Sequence, residues 1–204
     1  VPENFKPPGS GEHPRLLFRR SELPGLREKA KTPEGKAILR RLRFLLDGKD
    51  GESMTKLFRT SDQSPPGTGV YSMSHATGYG LLYQLTGDRK YAEFGRQCFE
   101  QALAGTPDRD ARYGFRRPGG PLRAGPSVGW YAVGYDLCYD GWDKASREKY
   151  GRAIAHYAEP SSSRRENIES NLEMLARGER FLGPNFRRSR GSPPGSNHFG
   201  MQVG

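Results

Sequence analysis

Apolar residues recur along this chain at intervals of three and four, and this spacing restricts the fold more than any other feature of the sequence. Over residues 72–105 one such series breaks at Thr86-Gly87-Asp88 and then resumes. A glycine followed by a helix-capping aspartate is typical of the turn between two antiparallel helices. The alternation of a half-buried strand is missing. We therefore predict an all-α fold.

A second helical hairpin is predicted over residues 127–159, with its turn at Asp140-Gly141-Trp142-Asp143. A long loop precedes each hairpin, at residues 47–68 and 105–126, and both loops are rich in glycine and proline. Consecutive hairpins of similar length look like units of an incomplete (α/α) toroid. In such a fold the two loops would gather at one rim, where a cleft would form.

The chain before the first of these hairpins divides into a lead-in and further helices. Residues 1–12 are rich in proline and glycine and predict an extended segment or linker. Ser21-Glu22-Leu23-Pro24 predicts a helix start, and Thr32-Pro33-Glu34 predicts a second one. We assign residues 13–204 to one toroid domain. Because the chain begins Val1-Pro2 and ends within a helical pattern, we expect a piece of a longer protein.

The charge of the chain favours an anionic partner. Lys and Arg number 33 against 23 acidic residues, a formal net charge of +10. Such a balance attracts polyanions over long range. No apolar run approaches the roughly 20 residues that span a membrane. Cys98 and Cys138 lack the spacing of a zinc site, and we predict no metal or other cofactor.

Asn197 and His198 form the strongest candidate for a functional site. They follow a loop rich in Gly, Pro, Ser and Arg and open an apolar segment, which predicts a helix starting at Asn197. A helix N-terminus attracts negative charge through its free N–H groups and its dipole. The ordinary alternative is that Asn197 caps the helix and His198 is partly buried.

Three stretches resemble the heparinase II/III-like and alginate-lyase-like polysaccharide lyases. They are the opening His13-Pro14-Arg15-Leu16-Leu17-Phe18 and the helix start after it, the hairpin around Leu85-Thr86-Gly87-Asp88, and Asn197-His198. The resemblance implies an (α/α) toroid and β-elimination on uronic-acid polysaccharides. It also implies secretion to the periplasm or beyond. Some members carry an acidic residue one turn after the histidine, where this chain has Met201.

The resemblance also implies the roles of residues. Asn197 and His198 would neutralise the uronate carboxylate, whose charge opposes removal of the C5 proton. A tyrosine and a second histidine, expected downstream of Gly204, would complete the proton transfers. The chain alone is therefore not expected to be active.

Substrate contacts are predicted around the second long loop. Trp130 and Tyr131 follow it directly and could stack against sugar rings. Arg116 and Arg123 could pair with carboxylate or sulfate groups, and His75, which starts a helix, could face the cleft. The alternatives are core aromatics, a solvated basic loop and a structural histidine.

Three other functions fit parts of the sequence. A nucleic-acid binder would use the run Arg187-Arg188-Ser189-Arg190-Gly191, although no recognised binding motif accompanies it. A toroidal glycoside hydrolase would need two carboxylates from Asp136, Asp140 and Asp143, which look like helix caps. A non-catalytic glycan-binding relative would share the resemblance without the downstream residues.

Overall fold

The computed structural model describes residues 6–46, 73–116 and 121–157. These residues form six α-helices and contain no strand, so the all-α prediction is confirmed for them. The helices are α1 (Leu23–Lys31), α2 (Pro33–Leu46), α3 (His75–Thr86), α4 (Arg89–Ala104), α5 (Pro121–Cys138) and α6 (Lys144–Ala155). None of them is long and apolar enough to cross a membrane.

The α3–α4 hairpin turns where the sequence predicted. Gly87 ends α3 with a φ of 74°, a left-handed conformation that glycine adopts without strain. Asp88 then caps α4, because its carboxylate accepts a hydrogen bond from the Lys90 N–H at 3.1 Å. The predicted break at Thr86-Gly87-Asp88 is confirmed.

Helix α5 begins earlier than the sequence indicated. We predicted a loop over residues 105–126, but α5 starts at Pro121 and contains Pro126. Proline is well suited to a first helical position, because its fixed φ fits and its missing N–H needs no partner there. The other end of the hairpin agrees with prediction. Asp143 caps α6 by accepting from the Ser146 N–H at 2.7 Å.

Helices α3 and α5 run parallel and in register. The Thr77 hydroxyl donates to the Trp130 carbonyl at 2.7 Å, and the Gln84 amide donates to the Leu137 carbonyl at 2.6 Å. Both pairs are 53 residues apart in sequence, so the two helices advance together over two turns. Between these bonds Gly80 packs against α5, and Gly134 packs against α3.

Two further bonds link α4 to the second hairpin, one from Trp142 just before α6 and one from Tyr150 within it. The Trp142 indole N–H donates to the Ala92 carbonyl at 2.8 Å, and the Tyr150 hydroxyl donates to Glu100; both pairs are 50 residues apart. An aromatic core fills the space between the hairpins and consists of Phe99, Phe115, Tyr131, Trp142, Tyr150 and Tyr157. Cys98 and Cys138 are free thiols buried in this core. Burial raises the pKa of both thiols.

The N-terminal segment is fastened to α5 by one buried carboxylate. Asp136 accepts from His13 Nδ1–H at 2.6 Å, from the Arg15 N–H at 2.8 Å and from the Leu16 N–H at 2.9 Å. The His13 ring also stacks on Tyr139, with 3.8 Å between the ring centroids. Asp136 was predicted to be a helix cap, and this prediction is wrong: its carboxylate binds the segment that opens with His13.

We predict that Gly80→Ala destabilises the chain by about 1–3 kcal/mol, because overpacking a tight interface has this cost. The added Cβ would lie 2.6 Å from Leu137 Cβ, an atom close to the backbone that cannot swing aside. Gly25→Ala in α1 is the matched control. No atom lies within 4 Å of its Cβ position, so the change should stabilise by about 0.5–1 kcal/mol. Urea unfolding of both variants measures the difference, and equal effects would contradict this packing.

Candidate functional site

The predicted site residues fall partly within the described residues. Asn197 and His198 lie outside them, as do residues 186–191. Arg123 lies in the first turn of α5. His75, Arg116, Trp130 and Tyr131 are described with their side chains.

These residues are near one end of the bundle. Because α3 and α5 are parallel, their N-termini lie at the same end, and α4, which is antiparallel to α3, ends there and continues into residues 105–116. We call the N-terminal ends of α3 and α5, together with residues 105–116, the rim. The C-termini of the antiparallel helices α4 and α6 lie at this same end, so the helix dipoles there largely offset one another.

The connection at the rim is firmly packed. The Ser127 hydroxyl of α5 donates to the Tyr113 carbonyl at 2.9 Å. Phe115 is buried against Tyr131 and Tyr157, with ring centroids 5.1 and 5.0 Å apart. Residues 111–113 form a single turn of 3-10 helix. The predicted long loop is therefore shortened at its end by α5 and anchored in the core.

Asp108 is the main electrostatic feature of the rim. Its side chain is 6 % exposed and accepts from the Asp110 N–H at 3.0 Å and from the Met73 N–H just before α3. Burial raises its pKa to about 6, although both hydrogen bonds act in the opposite direction. Asp108 therefore ties the connection to the start of α3 at the cost of burying a charge.

Trp130 and Tyr131 differ in exposure. Trp130 is 41 % exposed, whereas Tyr131 is 4 % exposed and packs edge-on against Phe99 and Phe115. Burial raises the pKa of the Tyr131 hydroxyl, which therefore stays protonated. Of the predicted pair, Trp130 is the ring that a ligand can reach, and Tyr131 belongs to the core.

The remaining predicted residues differ in access. His75 is buried at the first position of α3, with its ring 6.0 Å from that of Tyr79. Arg116 is exposed at the rim. Its neighbour Arg112 is bound to Asp110 through a bidentate pair with a shortest contact of 2.6 Å. Arg116 is therefore more accessible to an anionic ligand than Arg112.

The acids of the glycoside hydrolase alternative have structural partners. Asp136 is buried under the N-terminal segment, Asp140 pairs with Arg20, and Asp143 caps α6. None of the three is arranged to face a second carboxylate across a cleft. Within residues 6–46, 73–116 and 121–157, no cluster of three His, Cys, Asp or Glu side chains is placed to hold a metal ion.

Comparison of the chain with protein-family models, with curated proteins and with solved structures found no match. What the site can bind is therefore argued from its own geometry.

The sequence did not identify Asp108 as a site residue, although Pro107-Asp108-Arg109-Asp110 carries a local signal. An aspartate that accepts a hydrogen bond from the N–H two residues later forms an Asx turn, as Asp108 does with Asp110.

We predict that stability depends on pH through Asp108. Its pKa is about 6 when folded and ordinarily 3.8, so the native state binds the extra proton and loses stability as pH rises from about 4 to 6. Asp108→Asn keeps an acceptor oxygen without the charge. The free energy of unfolding of the wild type should fall by up to ~3 kcal/mol over this pH range, and Asp108→Asn should abolish this fall. Urea unfolding at several pH values measures both.

Asp143→Asn is the control of opposite sign. Hydrogen bonds from Ser146 lower the pKa of Asp143, so its contribution is present at neutral pH and is lost on acidification. If Asp108→Asn leaves the pH profile between 4 and 6 unchanged, the carboxylate is not buried as described.

Proposed function

We propose that this chain is part of an (α/α) toroid polysaccharide lyase that cleaves uronic-acid-containing polysaccharides by β-elimination. The observation that carries the proposal is the parallel, in-register pairing of α3 with α5, together with the bonds that join α4 to Trp142 and to Tyr150 of α6 at one constant sequence separation. A toroid is generated when successive hairpins repeat such a relation, with the first helices forming an inner ring and the second helices an outer one. The resemblance at His13–Phe18 and at Asn197-His198 supports the same fold.

The charge and the rim support an acidic substrate. The net charge of +10 attracts anions over long range. Arg116 is exposed at the rim and can pair with a carboxylate or sulfate. Trp130 exposes an aromatic face of the kind that stacks on sugar rings.

In the proposed reaction Asn197 and His198 bind the uronate carboxylate. Removing the C5 proton builds negative charge onto that group, so hydrogen bonds to it strengthen in the transition state and lower the barrier. The bond from C4 to its oxygen then breaks and leaves an unsaturated sugar. The tyrosine that we expect downstream of Gly204 would exchange the protons. We place the protein in the periplasm or outside the cell, where such polymers occur.

A nucleic-acid-binding domain is the second candidate, favoured by the same positive charge. The nucleic-acid-binding domain and the lyase would differ in ligand specificity. Phosphate contacts bind any nucleic acid with a steep dependence on salt, whereas the proposed lyase distinguishes uronates from neutral glycans.

We predict that the chain binds polyuronate, that binding weakens as salt shortens the Debye length to about 8 Å and below, and that neutral glucan does not bind. Arg116→Ala should weaken binding, measured by calorimetry. Arg40→Ala is the matched control, since Arg40 is exposed on α2 beside Leu39, which lies near Leu85 at the end away from the rim. Equal affinity for neutral glucan and polyuronate would refute the proposal.

We predict that Asn197→Asp, in the full-length gene product, keeps its melting temperature and loses elimination activity, followed by absorbance of the unsaturated sugar. Aspartate still caps a helix but repels the substrate carboxylate. Asn197→Ala should raise the barrier by about 3 kcal/mol or more. A simple helix cap would instead lose about 1 kcal/mol of stability with little change in turnover. Near-normal activity of Asn197→Asp would therefore exclude the catalytic role.

A further inference from the structure

A cavity of about 200 Å³ lies at the end of the bundle opposite to the rim. It sits between the N-terminal segment and the C-terminal ends of α3 and α5, and its polar lining consists of His13, Arg20, Arg27, Tyr83, Gln84 and Asp140. His75 and Gln84 are nine residues apart on α3, which places the cavity about 14 Å from the rim.

Arg27 presents a guanidinium to this cavity with its outer N–H groups available. Its Nε donates to the Gln84 carbonyl at 3.0 Å. Within the described residues no acceptor contacts its two terminal nitrogens. The bond to Gln84 fixes the direction of the group, so the terminal nitrogens are held in place for a ligand without further ordering.

Arg20 is held on the same cavity by the N-terminal segment. Its Nε and Nη2 donate to the His13 carbonyl at 2.9 and 2.7 Å, and Nη2 also contacts Asp140. This ion pair is half exposed and therefore weak. Arg20 Nη1 has no acceptor among the described residues.

The Tyr83 hydroxyl adds a neutral donor. Burial raises its pKa, and the charge of Asp140 raises it further, so the hydroxyl stays protonated. Arg89, whose guanidinium donates to the Gly141 carbonyl at 3.3 Å, acts on Tyr83 with the opposite sign. The cavity is thus lined by two guanidinium groups, Arg20 and Arg27, and by one carboxylate, Asp140.

We propose that this cavity binds a tetrahedral oxyanion, sulfate or phosphate, through Arg20, Arg27 and Tyr83. Guanidinium groups bind such anions through paired N–H groups, a geometry that Arg27 is positioned to supply. A water molecule takes about 30 Å³, so the cavity holds an anion of five heavy atoms with room for solvent. The proposal is independent of the proposed function, because the site is at the other end of α3.

The test titrates the chain with sodium sulfate and with sodium phosphate, using sodium chloride at equal ionic strength as reference. Binding to the native state raises the midpoint of thermal unfolding. We expect sulfate or phosphate to raise it beyond the chloride reference. A sulfated monosaccharide in a parallel titration shows whether the site takes the free ion or the same group on a larger molecule.

Variants test the residues. Arg27→Ala should weaken the anion affinity about tenfold or more. Lys29→Ala is the control, since it removes the same charge from an exposed position of α1 that does not line the cavity. Asp140→Asn should tighten binding about fivefold by removing the repelling charge.

Two results would overturn the proposal. One is an equal response to chloride and to the oxyanions. The other is an equal loss of anion affinity in Arg27→Ala and Lys29→Ala, because the binding would then depend on the net charge of the chain and not on the cavity. Since Arg27→Ala also removes the bond to Gln84, Arg27→Lys is measured beside it: it keeps the charge and should still bind more weakly than wild type.

Discussion

The close approach of α3 and α5 is the contact on which the other features depend. Gly80 and Gly134 allow the two helices to approach closely. The side chains of Thr77 and Gln84 on α3 donate to carbonyls of α5, and these two bonds fix the register between the helices. A carbonyl that already accepts a helical hydrogen bond has a second lone pair, so these bonds add to the helix without disrupting it. One parallel contact thus defines both ends of the bundle, with the N-termini of α3 and α5 at the rim and their C-termini at the opposite cavity.

The N-terminal segment completes the second of these ends. Asp136 takes three hydrogen bonds from the segment and is 1 % exposed, so its charge is compensated by donors rather than by water. The segment is followed by Arg20, which forms an ion pair with Asp140. It then leads into α1, where Arg27 donates to the Gln84 carbonyl. The sequence His13–Phe18 therefore matters to the fold as an anchor, which gives a physical reason for a motif that resembled a family opening.

Local signals in the sequence predicted the turns, whereas tertiary burial decided the rest. Gly87 and Asp88 specify the first hairpin turn by themselves, because a left-handed glycine and an N-cap are local properties. The sequence did not predict the start of α5, because prolines such as Pro121 and Pro126 are typical of loops and both lie within this helix. Trp130 and Tyr131 are neighbours in sequence but point about 100° apart on a helix, and only the packing of Phe99 and Phe115 decides which is buried. The burial of Asp108 likewise follows from the placement of Met73.

The parallel helices also explain how the arginines are used. The carbonyls at the C-terminal ends of α3 and α5 carry partial negative charge. Arg27 donates to the Gln84 carbonyl of α3, and Arg89 donates to the Gly141 carbonyl just after α5. At the rim Arg112 pairs with Asp110, and Arg116 is exposed. The same residue type thus bonds to backbone carbonyls at one end and, at Arg116, is exposed at the other. An anion at the rim would meet the exposed charge of Arg116, whereas an anion at the opposite cavity would have to bind to Arg20 and Arg27, which already donate to backbone carbonyls of the fold.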